Sequence, residues 1–374
     1  MKPLSLLPFL ISLCLSLLAA CAPIQKGATQ IISNEPKVNV AILKGSKDVE
    51  ISGSNLRLVT NRGAKTVGEN KLLIINDTRG YRLGRKIYPA SSIGLQGRDI
   101  KVNGRGYAGE IILIKENGTL TVINKIDMET YLYGVINNEI SSAWPMEAVK
   151  AQAVAARTYA FYKLNSKLDK PYFLESTVMD QVYSGQGSED ERARRAVNET
   201  KGEILFHKKV VAQALFHSSC GGHTEAAENV WGTDYPYLKS VEDRFCTDAP
   251  NYFWTYLSSY DNISSALAAA GYPPGSSREI RVLERSESGR VVTVKIDTFT
   301  LSGEDLRRII GYSRIKSTLF NIELHDDNVV FSGSGAGHGV GMCQWGAKGM
   351  AEAGHSYRDI LHKYYNKVFL KKVY

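Results

Sequence analysis

The period at which apolar residues recur changes at Asp127, and this change constrains the fold more than any other feature of the sequence. From Val38 to about Ile126, short apolar runs such as Leu72–Ile75 are separated by turn signals, which is typical of β-strands. Asn117-Gly118, between two such runs, predicts a tight hairpin. After Asp127, apolar residues follow the spacing of one buried helical face: Met128, Tyr131, Leu132, Val135 and Ile136.

The rest of the chain mixes helix and strand signals. A second helix is predicted after Pro145, which suits a first helical position, and its many alanines permit close packing as far as about Leu164. Ser188 and Glu191 indicate a capping box that opens a third helix. We therefore predict an α+β protein: a small β domain over residues 38–126, then a mixed α/β portion over 127–374 that carries the candidate chemistry, with an inserted α+β lobe at about 251–320.

Residues 1–20 have the features of an export signal. A basic residue, Lys2, precedes the apolar run Leu4–Leu18, which is short for a membrane-spanning helix of about 20 residues. The segment from Leu18 to Cys21 resembles a bacterial lipobox; the alternative is an ordinary signal peptide with a chance cysteine. We predict cleavage after residue 20, lipidation of Cys21, and a flexible tether over residues 21–37. The expected location is extracytoplasmic and membrane-anchored, in the periplasm or on the outer face of the cell membrane.

The charge balance limits the classes of partner. With 46 Lys and Arg against 38 Asp and Glu, the formal net charge is +8, which suits an anionic partner such as cell wall or a membrane surface. The sequence has no basic run interleaved with aromatic residues, so no nucleic-acid partner is predicted. The glycine-rich stretch 333–341 matches neither dinucleotide nor Walker motifs, and we expect no cofactor. Its glycines would hold His338 either beside a cleft or in a structural turn.

Three cysteines remain once Cys14 leaves with the signal and Cys21 is lipidated. We predict a disulfide between Cys220 and Cys246, with Cys343 as a reduced interior thiol. Two alternatives involve the segment His217–His223: a zinc site from His217, Cys220 and His223, or a Cys nucleophile with a His base.

Glu139 is the first candidate for acid–base chemistry. If the helix that starts near Asp127 continues, Glu139 falls in line with Leu132 and Val135 on its apolar face. Burial there would raise its pKa, as a general acid working near neutral pH requires. If the helix instead ends at Asn137-Asn138, Glu139 is exposed and inert. Periodicity alone does not choose between the two.

Eight segments together resemble the SpoIID/LytB family of stage II sporulation protein D and amidase enhancers. The resemblance covers most of the chain, from about Val38 to Tyr365. The segments are Tyr131–Glu139, Trp144–Ala148, Lys150–Ala160, Gln181–Gly185, His217–Gly222, Val230–Gly232, Lys316–Phe320 and Gly337–Ala347.

The resemblance implies action on peptidoglycan, as a lytic transglycosylase that cuts glycan strands stripped of stem peptides and leaves 1,6-anhydro-N-acetylmuramic ends. The acid–base residue of such enzymes closes the motif YLxGVxxxE, here as Glu139. The sugar's own 6-hydroxyl replaces water as the nucleophile, so the second carboxylate of an ordinary glycosidase is not required. Sugar-binding or supporting roles around the cleft are implied for Lys150, Gln152, Arg157, Gln181, Tyr183, Ser218, His338 and Gln344. For Gln152 and Arg157, bracing of the helix is the alternative.

One departure from the family concerns metal. Some relatives carry a zinc site of His and Cys just before the Gln-Val-Tyr segment, but residues 171–180 here contain neither residue type. We therefore predict no metal at that place, and none elsewhere. One family branch is named for amidase enhancement, so the alternative function is a non-cleaving wall-binding module that stimulates an amidase partner. The sequence leaves open a sporulation or a vegetative role.

Overall fold

The computed structural model describes residues 34–166, 170–177, 180–272, 275 and 277–374. The predicted signal peptide and the predicted lipidation site, Cys21, lie outside these residues. Within the described part of the chain, no helix combines the length and the apolar character needed to cross a membrane.

The first third of the described chain is made of β-strands, as the sequence predicts. In chain order they are β1 (Lys37–Ser46), β2 (Asp48–Thr60), β3 (Gly63–Thr66), β4 (Lys71–Asp77), β5 (Gly80–Leu83), β6 (Lys86–Tyr88), β7 (Ser92–Val102), β8 (Arg105–Gly106), β9 (Glu110–Glu116) and β10 (Thr119–Asp127).

Helices and short strands alternate in the remainder, which confirms the α+β class. They are α1 (Met128–Glu139), α2 (Met146–Ser166), β11 (Leu174–Glu175), α3 (Glu191–Glu199), β12 (Glu203–His207), β13 (Val210–Val211), β14 (Phe216–His217), α4 (Ala227–Trp231), β15 (Phe253–Ser259), α5 (Tyr260–Ala269), β16 (Ile280–Arg285), β17 (Val291–Ile296), β18 (Phe299–Ser302), α6 (Gly303–Ile310), β19 (Phe320–His325), β20 (Asn328–Ser334), β21 (Met342–Cys343), α7 (Gln344–Glu352), α8 (Tyr357–Tyr364) and β22 (Phe369–Lys372).

The largest sheet in the described residues joins the N-terminal strands to the helical portion. Its order is β11-β1-β10-β9-β7-β2-β4-β5-β6, with β3 beside β2 and β8 beside β7. The hairpin between β9 and β10 turns at Asn117 and Gly118, whose φ angles of 49° and 74° suit a two-residue turn of the mirror-image type. Because β10 runs directly into α1, this sheet fixes where α1 begins.

Helix α2 lies between two hydrophobic cores. Val149, Ala153 and Ala156 pack in the core shared with the large sheet, whereas Ala148 and Val154 pack in a second core with α7 and α8. A helix that is apolar on all sides is expected in the interior of a protein. Its alanines allow both sets of neighbours to approach closely.

The predicted inserted lobe has a core of its own, which includes Tyr260, Leu306 and Phe331. Its sheets are ordered β15-β20-β19 and β16-β17-β18. The lobe runs further than residue 320, to Ser334, because β20 pairs in antiparallel register with β15 along its whole length.

The N-cap of α3 and the end of the predicted tether differ from the sequence prediction. Helix α3 begins at Glu191 with Asp190 as its N-cap, whose side chain accepts from the backbone N–H of Ala193 at 2.8 Å, so the cap is two residues after Ser188. Residues 35–37, predicted as the end of the tether, instead belong to the folded part: Glu35 accepts from the backbone N–H of Glu129 at 2.8 Å in the first turn of α1, and β1 begins at Lys37.

Candidate active site

Glu139 is the last residue of α1 and is half-buried. The helix therefore continues past Asn137-Asn138, which settles the alternative that periodicity left open. It ends because Ile140 takes an extended conformation, with φ of −140° and ψ of 161°. The residue before Pro145 is also restrained from helical geometry, so the chain turns away before α2 starts.

The segment Gln181–Gly185 lies directly against α1. A Cβ atom added at Gly134 would lie 2.7 Å from the carbonyl oxygen of Gly185 and 2.7 Å from the ring of Tyr183, so only glycine permits this approach. The approach brings the backbone N–H of Val182 to Glu139, where it donates to Oε1 at 2.8 Å.

The environment of Glu139 favours its protonated form. Burial raises the pKa of the carboxyl group, whereas the Val182 N–H and the Gln344 side chain, which hydrogen-bond the carboxylate, oppose that rise. The net direction is upward. A carboxyl group with a raised pKa retains its proton closer to neutral pH and can donate it to a leaving group.

Glu139 opens into a pocket of about 530 Å³. Its lining residues are Asn137, Asn138, Glu139, Ile140, Ser141, Ser142, Trp144, Asp190, Ser218, Gln344 and Trp345. The rings of Trp144 and Trp345 pack edge to face with centroids 5.0 Å apart. Both rings are half-buried, and aromatic rings beside polar groups in a pocket are suited to the apolar faces and hydroxyls of a sugar. A separate cleft lined by Leu58, Lys65 and Tyr88 has no carboxylate in its lining.

The pKa of Asp190, the second carboxylate of the pocket, is shifted in the opposite direction. It accepts hydrogen bonds from Ser142 Oγ at 2.5 Å, Asn137 Nδ2 at 2.9 Å and the backbone N–H of Ala193 at 2.8 Å. The Ala193 N–H and then the Ser142 hydroxyl hold the pKa of Asp190 below its ordinary value. Opposed pKa shifts in one pocket indicate which group is the acid. Hydrogen bonds from its own helix and from Ser142 thus favour the ionised form of Asp190, and Glu139 is the carboxyl group of this pocket whose pKa is raised.

Two of the predicted sugar-contacting residues reach the pocket, and a third lies just behind it. Ser218 and Gln344 are in the lining. Gln152 is fully buried, and its Oε1 accepts from Gln344 Nε2 at 3.4 Å. Gln344 is thus held between Gln152 and Glu139.

Arg157 and Lys150 lie away from the pocket. Arg157 is fully buried, and two of its nitrogens donate to the carboxylate of Glu129 at 2.9 and 2.7 Å. Lys150 pairs with Glu147 at 3.0 Å and with Glu199 at 2.6 Å. The structure therefore assigns both cations to bracing α1, α2 and α3, the alternative stated above for Arg157.

Gln181 and Tyr183 support the wall behind Glu139. Gln181 Oε1 accepts from the hydroxyl of Tyr131 at 3.0 Å, and the Tyr183 hydroxyl donates to Asn124 Oδ1 at 2.8 Å. Both side chains are buried. They hold the segment that presents the Val182 N–H.

His338 is held by backbone contacts and is not part of the pocket lining. Its Nε2 lies 3.1 Å from the carbonyl oxygen of Phe216, and its Nδ1 accepts from the Val340 N–H at 3.0 Å. Burial lowers the pKa of His338 to about 4. This neutral ring fixes the glycine-rich turn. Of the two predicted places for His338, beside a cleft or in a structural turn, the structure favours the turn.

The predicted Cys220–Cys246 disulfide is absent from the structure. The two sulfurs are 3.4 Å apart, and Cys220, Cys246 and Cys343 are free thiols. A bond would need about 2.05 Å. The sulfur of Cys343 and the buried carboxylate of Asp243 lie beside these two sulfurs. The spacing of the cysteines in the sequence did not reveal this cluster.

The structure forms neither of the two alternatives predicted for His217–His223, the His217–Cys220–His223 zinc site and the Cys–His nucleophile pair. His217 Nδ1 contacts the carbonyl oxygen of Val340 at 3.1 Å, and His223 Nδ1 contacts Ser240 Oγ at 2.7 Å. Neither ring has a described hydrogen bond to a cysteine sulfur, so no Cys–His nucleophile pair is assembled in the described residues.

Comparison with known proteins places two family profiles on the chain. The profile described as "Stage II sporulation protein" (SpoIID) matches residues 116–207, which include Glu139 and Val182. A profile described as a domain of unknown function (DUF8618) matches residues 238–341, which include the inserted lobe.

Three relatives share about a third of their aligned residues with this chain. An uncharacterized protein of Brachyspira hyodysenteriae is 37% identical over 313 residues, 83% of this chain and 82% of that one. Stage II sporulation protein D of Bacillus subtilis is 32% identical over 258 residues, 65% of this chain and 74% of that one. The amidase enhancer of Bacillus subtilis is 32% identical over 286 residues, but the match spans 63% of this chain and only 39% of the enhancer.

Proposed function

The chain belongs to the SpoIID family, and on that premise we propose that it acts on the bacterial cell wall as a lytic transglycosylase that cuts the glycan strands of peptidoglycan. The observation that carries the proposal is Glu139, a half-buried carboxyl group with a raised pKa at the end of α1, beside two tryptophans in one pocket. No second carboxylate in that pocket is free to act with it.

The proposed reaction uses Glu139 twice. Its carboxyl O–H donates to the glycosidic oxygen that leaves C1 of N-acetylmuramic acid, and the C1–O bond breaks. The carboxylate then takes the proton of the 6-hydroxyl of the same sugar, whose oxygen forms the new bond to C1. The proton returns to Glu139, no water is consumed, and the product ends in a 1,6-anhydro ring. One acid–base group is sufficient because the nucleophile is within the substrate.

The Val182 N–H and the Gln344 side chain support this double role. Both stabilise the carboxylate that forms after proton donation, while burial makes the return of the proton favourable. A group that must exist in both states during one turnover needs an environment that makes neither state prohibitive.

The aromatic pair supplies a platform for the strand. Trp144 precedes α2 and Trp345 lies in the first turn of α7, so two segments that are far apart in the sequence each bring one indole to the pocket. We assign Trp144 and Trp345 to the sugar faces, and Ser218 and Gln344 to hydroxyl or acetamido groups.

Export and anchoring form part of the proposal. Lipidation of Cys21 would confine strand cutting to the neighbourhood of a membrane, because Glu35 is already docked on α1 and residues 22–34 reach at most about 45 Å. The positive net charge is compatible with approach to anionic wall polymers.

The alternative is a non-cleaving module that stimulates an amidase, which the name of one relative favours. The two are separated by incubating the full chain with peptide-free glycan strands in water enriched in ¹⁸O and weighing the products. The proposal predicts shortened strands with anhydro ends and no ¹⁸O. Intact strands, together with faster amidase release of stem peptides from whole wall, would establish the alternative. Shortened strands that carry ¹⁸O would show a hydrolase and overturn the mechanism.

A further inference from the structure

Four metal-ligating side chains converge in the second core, away from Glu139. The sulfurs of Cys220, Cys246 and Cys343 and a carboxylate oxygen of Asp243 all lie within 4.8 Å of one another, and all four residues are buried. Cys220 Sγ is 3.2 Å from Asp243 Oδ2 and 3.4 Å from Cys246 Sγ. The ligands come from three separate segments: the loop after β14, the loop before β15, and the start of α7.

Within the described part of the chain, no ion pair neutralises the carboxylate of this cluster. Asp243 is buried and accepts from the hydroxyl of Tyr364 and from the backbone N–H of Phe245, each at 2.9 Å, but none of the ion pairs in the described part of the chain includes Asp243. Arg290 is fully buried nearby but donates to the carbonyl oxygen of Cys220 at 2.7 Å, leaving its Nε and Nη1 without described partners. A buried carboxylate among thiols is costly unless a cation neutralises it.

Backbone N–H groups point at the sulfurs as they do around thiolates. Cys343 is the N-cap of α7, and its Sγ accepts from the N–H groups of Gly346 and Cys220, each at 3.3 Å. A helix N-terminus favours a thiolate.

We propose that Cys220, Asp243, Cys246 and Cys343 bind one Zn²⁺ ion in a closed structural site. Three thiolates and one carboxylate are ligands that zinc accepts, and four protein ligands fill a tetrahedral shell with no place for a reactive water. Binding releases the thiol protons to solvent. The sequence analysis, which predicts no metal, did not consider this set, because Cys220 and Cys343 are 123 residues apart and meet only in the folded chain.

The site would organise the wall of the catalytic pocket. Ser218 lies two residues before Cys220, and Gln344 directly follows Cys343; both line the pocket of Glu139. The parallel pair of β14 and β21 places His217 opposite Cys343, so the metal would hold the segments that carry Ser218 and Gln344 together. Metal binding can be measured without any assay of activity, so the test stands apart from the proposed function.

The test uses the full chain with Cys14→Ser and Cys21→Ser, so that the cluster holds the remaining thiols. The reduced protein is produced with zinc in the medium, and metal content is measured by mass spectrometry. We expect one zinc per chain. After chelation, Co²⁺ should give thiolate-to-cobalt charge-transfer bands and the visible bands of a tetrahedral site.

Variants identify the ligands. Asp243→Asn and Cys343→Ser should each weaken zinc binding by at least about tenfold, since even outer-shell changes have that effect. His223→Gln should retain zinc, because that ring lies outside the cluster. If the reduced, zinc-supplied chain elutes without metal and Co²⁺ gives no thiolate band, the proposal fails. A Cys220–Cys246 disulfide in the chain exported by its own signal would equally overturn it.

Discussion

The backbone N–H of Val182 donates to Oε1 of Glu139 at 2.8 Å, across 43 residues of sequence. This hydrogen bond connects two segments that the sequence presents as separate motifs. It fixes one oxygen of the carboxyl group, and the Gln344 side chain also hydrogen-bonds the carboxylate. The contact exists because Gly134 lets the segment that contains Val182 lie against α1.

The first prediction concerns the cost of keeping Glu139 buried. Its pKa is raised in the folded chain, so the folded state holds more protons than the unfolded state between the two pKa values, and stability falls as pH rises through that window. Glu139→Gln should therefore unfold at a higher temperature than the wild type at pH 7.5. The gain should vanish below about pH 4, where the unfolded carboxyl is also protonated. Calorimetry at both pH values measures this, and equal unfolding temperatures at pH 7.5 would contradict it.

The second prediction concerns Arg157 and Glu129, whose side chains are 0% and 4% exposed. Arg157→Met should lower the free energy of unfolding by about 3–5 kcal/mol, because it leaves a buried carboxylate unpaired. Denaturant unfolding measures the change.

An exposed pair provides its control. Arg195 and Glu199 lie one turn apart at 2.6 Å on α3, and because water screens this exposed pair, Arg195→Met should leave the free energy of unfolding nearly unchanged. Similar losses in the two variants would refute a bracing role specific to Arg157.

The third prediction concerns the aromatic platform. Trp345→Ala should raise the strand concentration for half-maximal rate about tenfold, because truncating an aromatic anchor costs on the order of 1–2 kcal/mol. Trp345→Phe should retain part of the affinity. Trp231 is 50% exposed and absent from the pocket lining, so Trp231→Ala should leave that concentration unchanged. Equal effects at both tryptophans would argue against the platform.

The fourth prediction concerns Gly134. A methyl group there meets the Gly185 carbonyl and the Tyr183 ring, so Gly134→Ala should displace Val182 from Glu139 and destabilise the chain by about 1–3 kcal/mol. The better helix propensity of alanine, worth about 1 kcal/mol, offsets only part of this. Gly68→Ala is the matched control, because no atom lies within 4 Å of its added Cβ. Unchanged stability and activity in Gly134→Ala would show that the close approach is unimportant.

Local pattern was sufficient for much of the fold. The hairpin at Asn117-Gly118 and the buried face of α1 depend on neighbours within a few residues, and both were predicted. The cap of α3 was placed two residues early, because Ser188 and Asp190 offer similar side-chain acceptors and only the folded context selects Asp190.

The candidate site was predicted less completely because it depends on contacts between distant segments. Motif resemblance predicted Glu139 and Gln344, which line one pocket, yet it could not separate residues that face this pocket from residues that hold the helices. Arg157 belongs to the second kind because its partner Glu129 is buried in the first turn of α1. Trp144 and Trp345 lie within the segments that carry the family resemblance, but nothing in the sequence shows that their rings are in contact.

The central claim is that Glu139 alone supplies the acid and the base. Its most direct test is the rate at which 1,6-anhydro ends appear on peptide-free strands with the wild type, Glu139→Gln and Glu352→Gln. Glu352 pairs with Lys348 on the surface of α7 and serves as the matched control. The account predicts a loss of at least about a hundredfold for Glu139→Gln and an unchanged rate for Glu352→Gln. Anhydro ends formed by Glu139→Gln at the wild-type rate would contradict it.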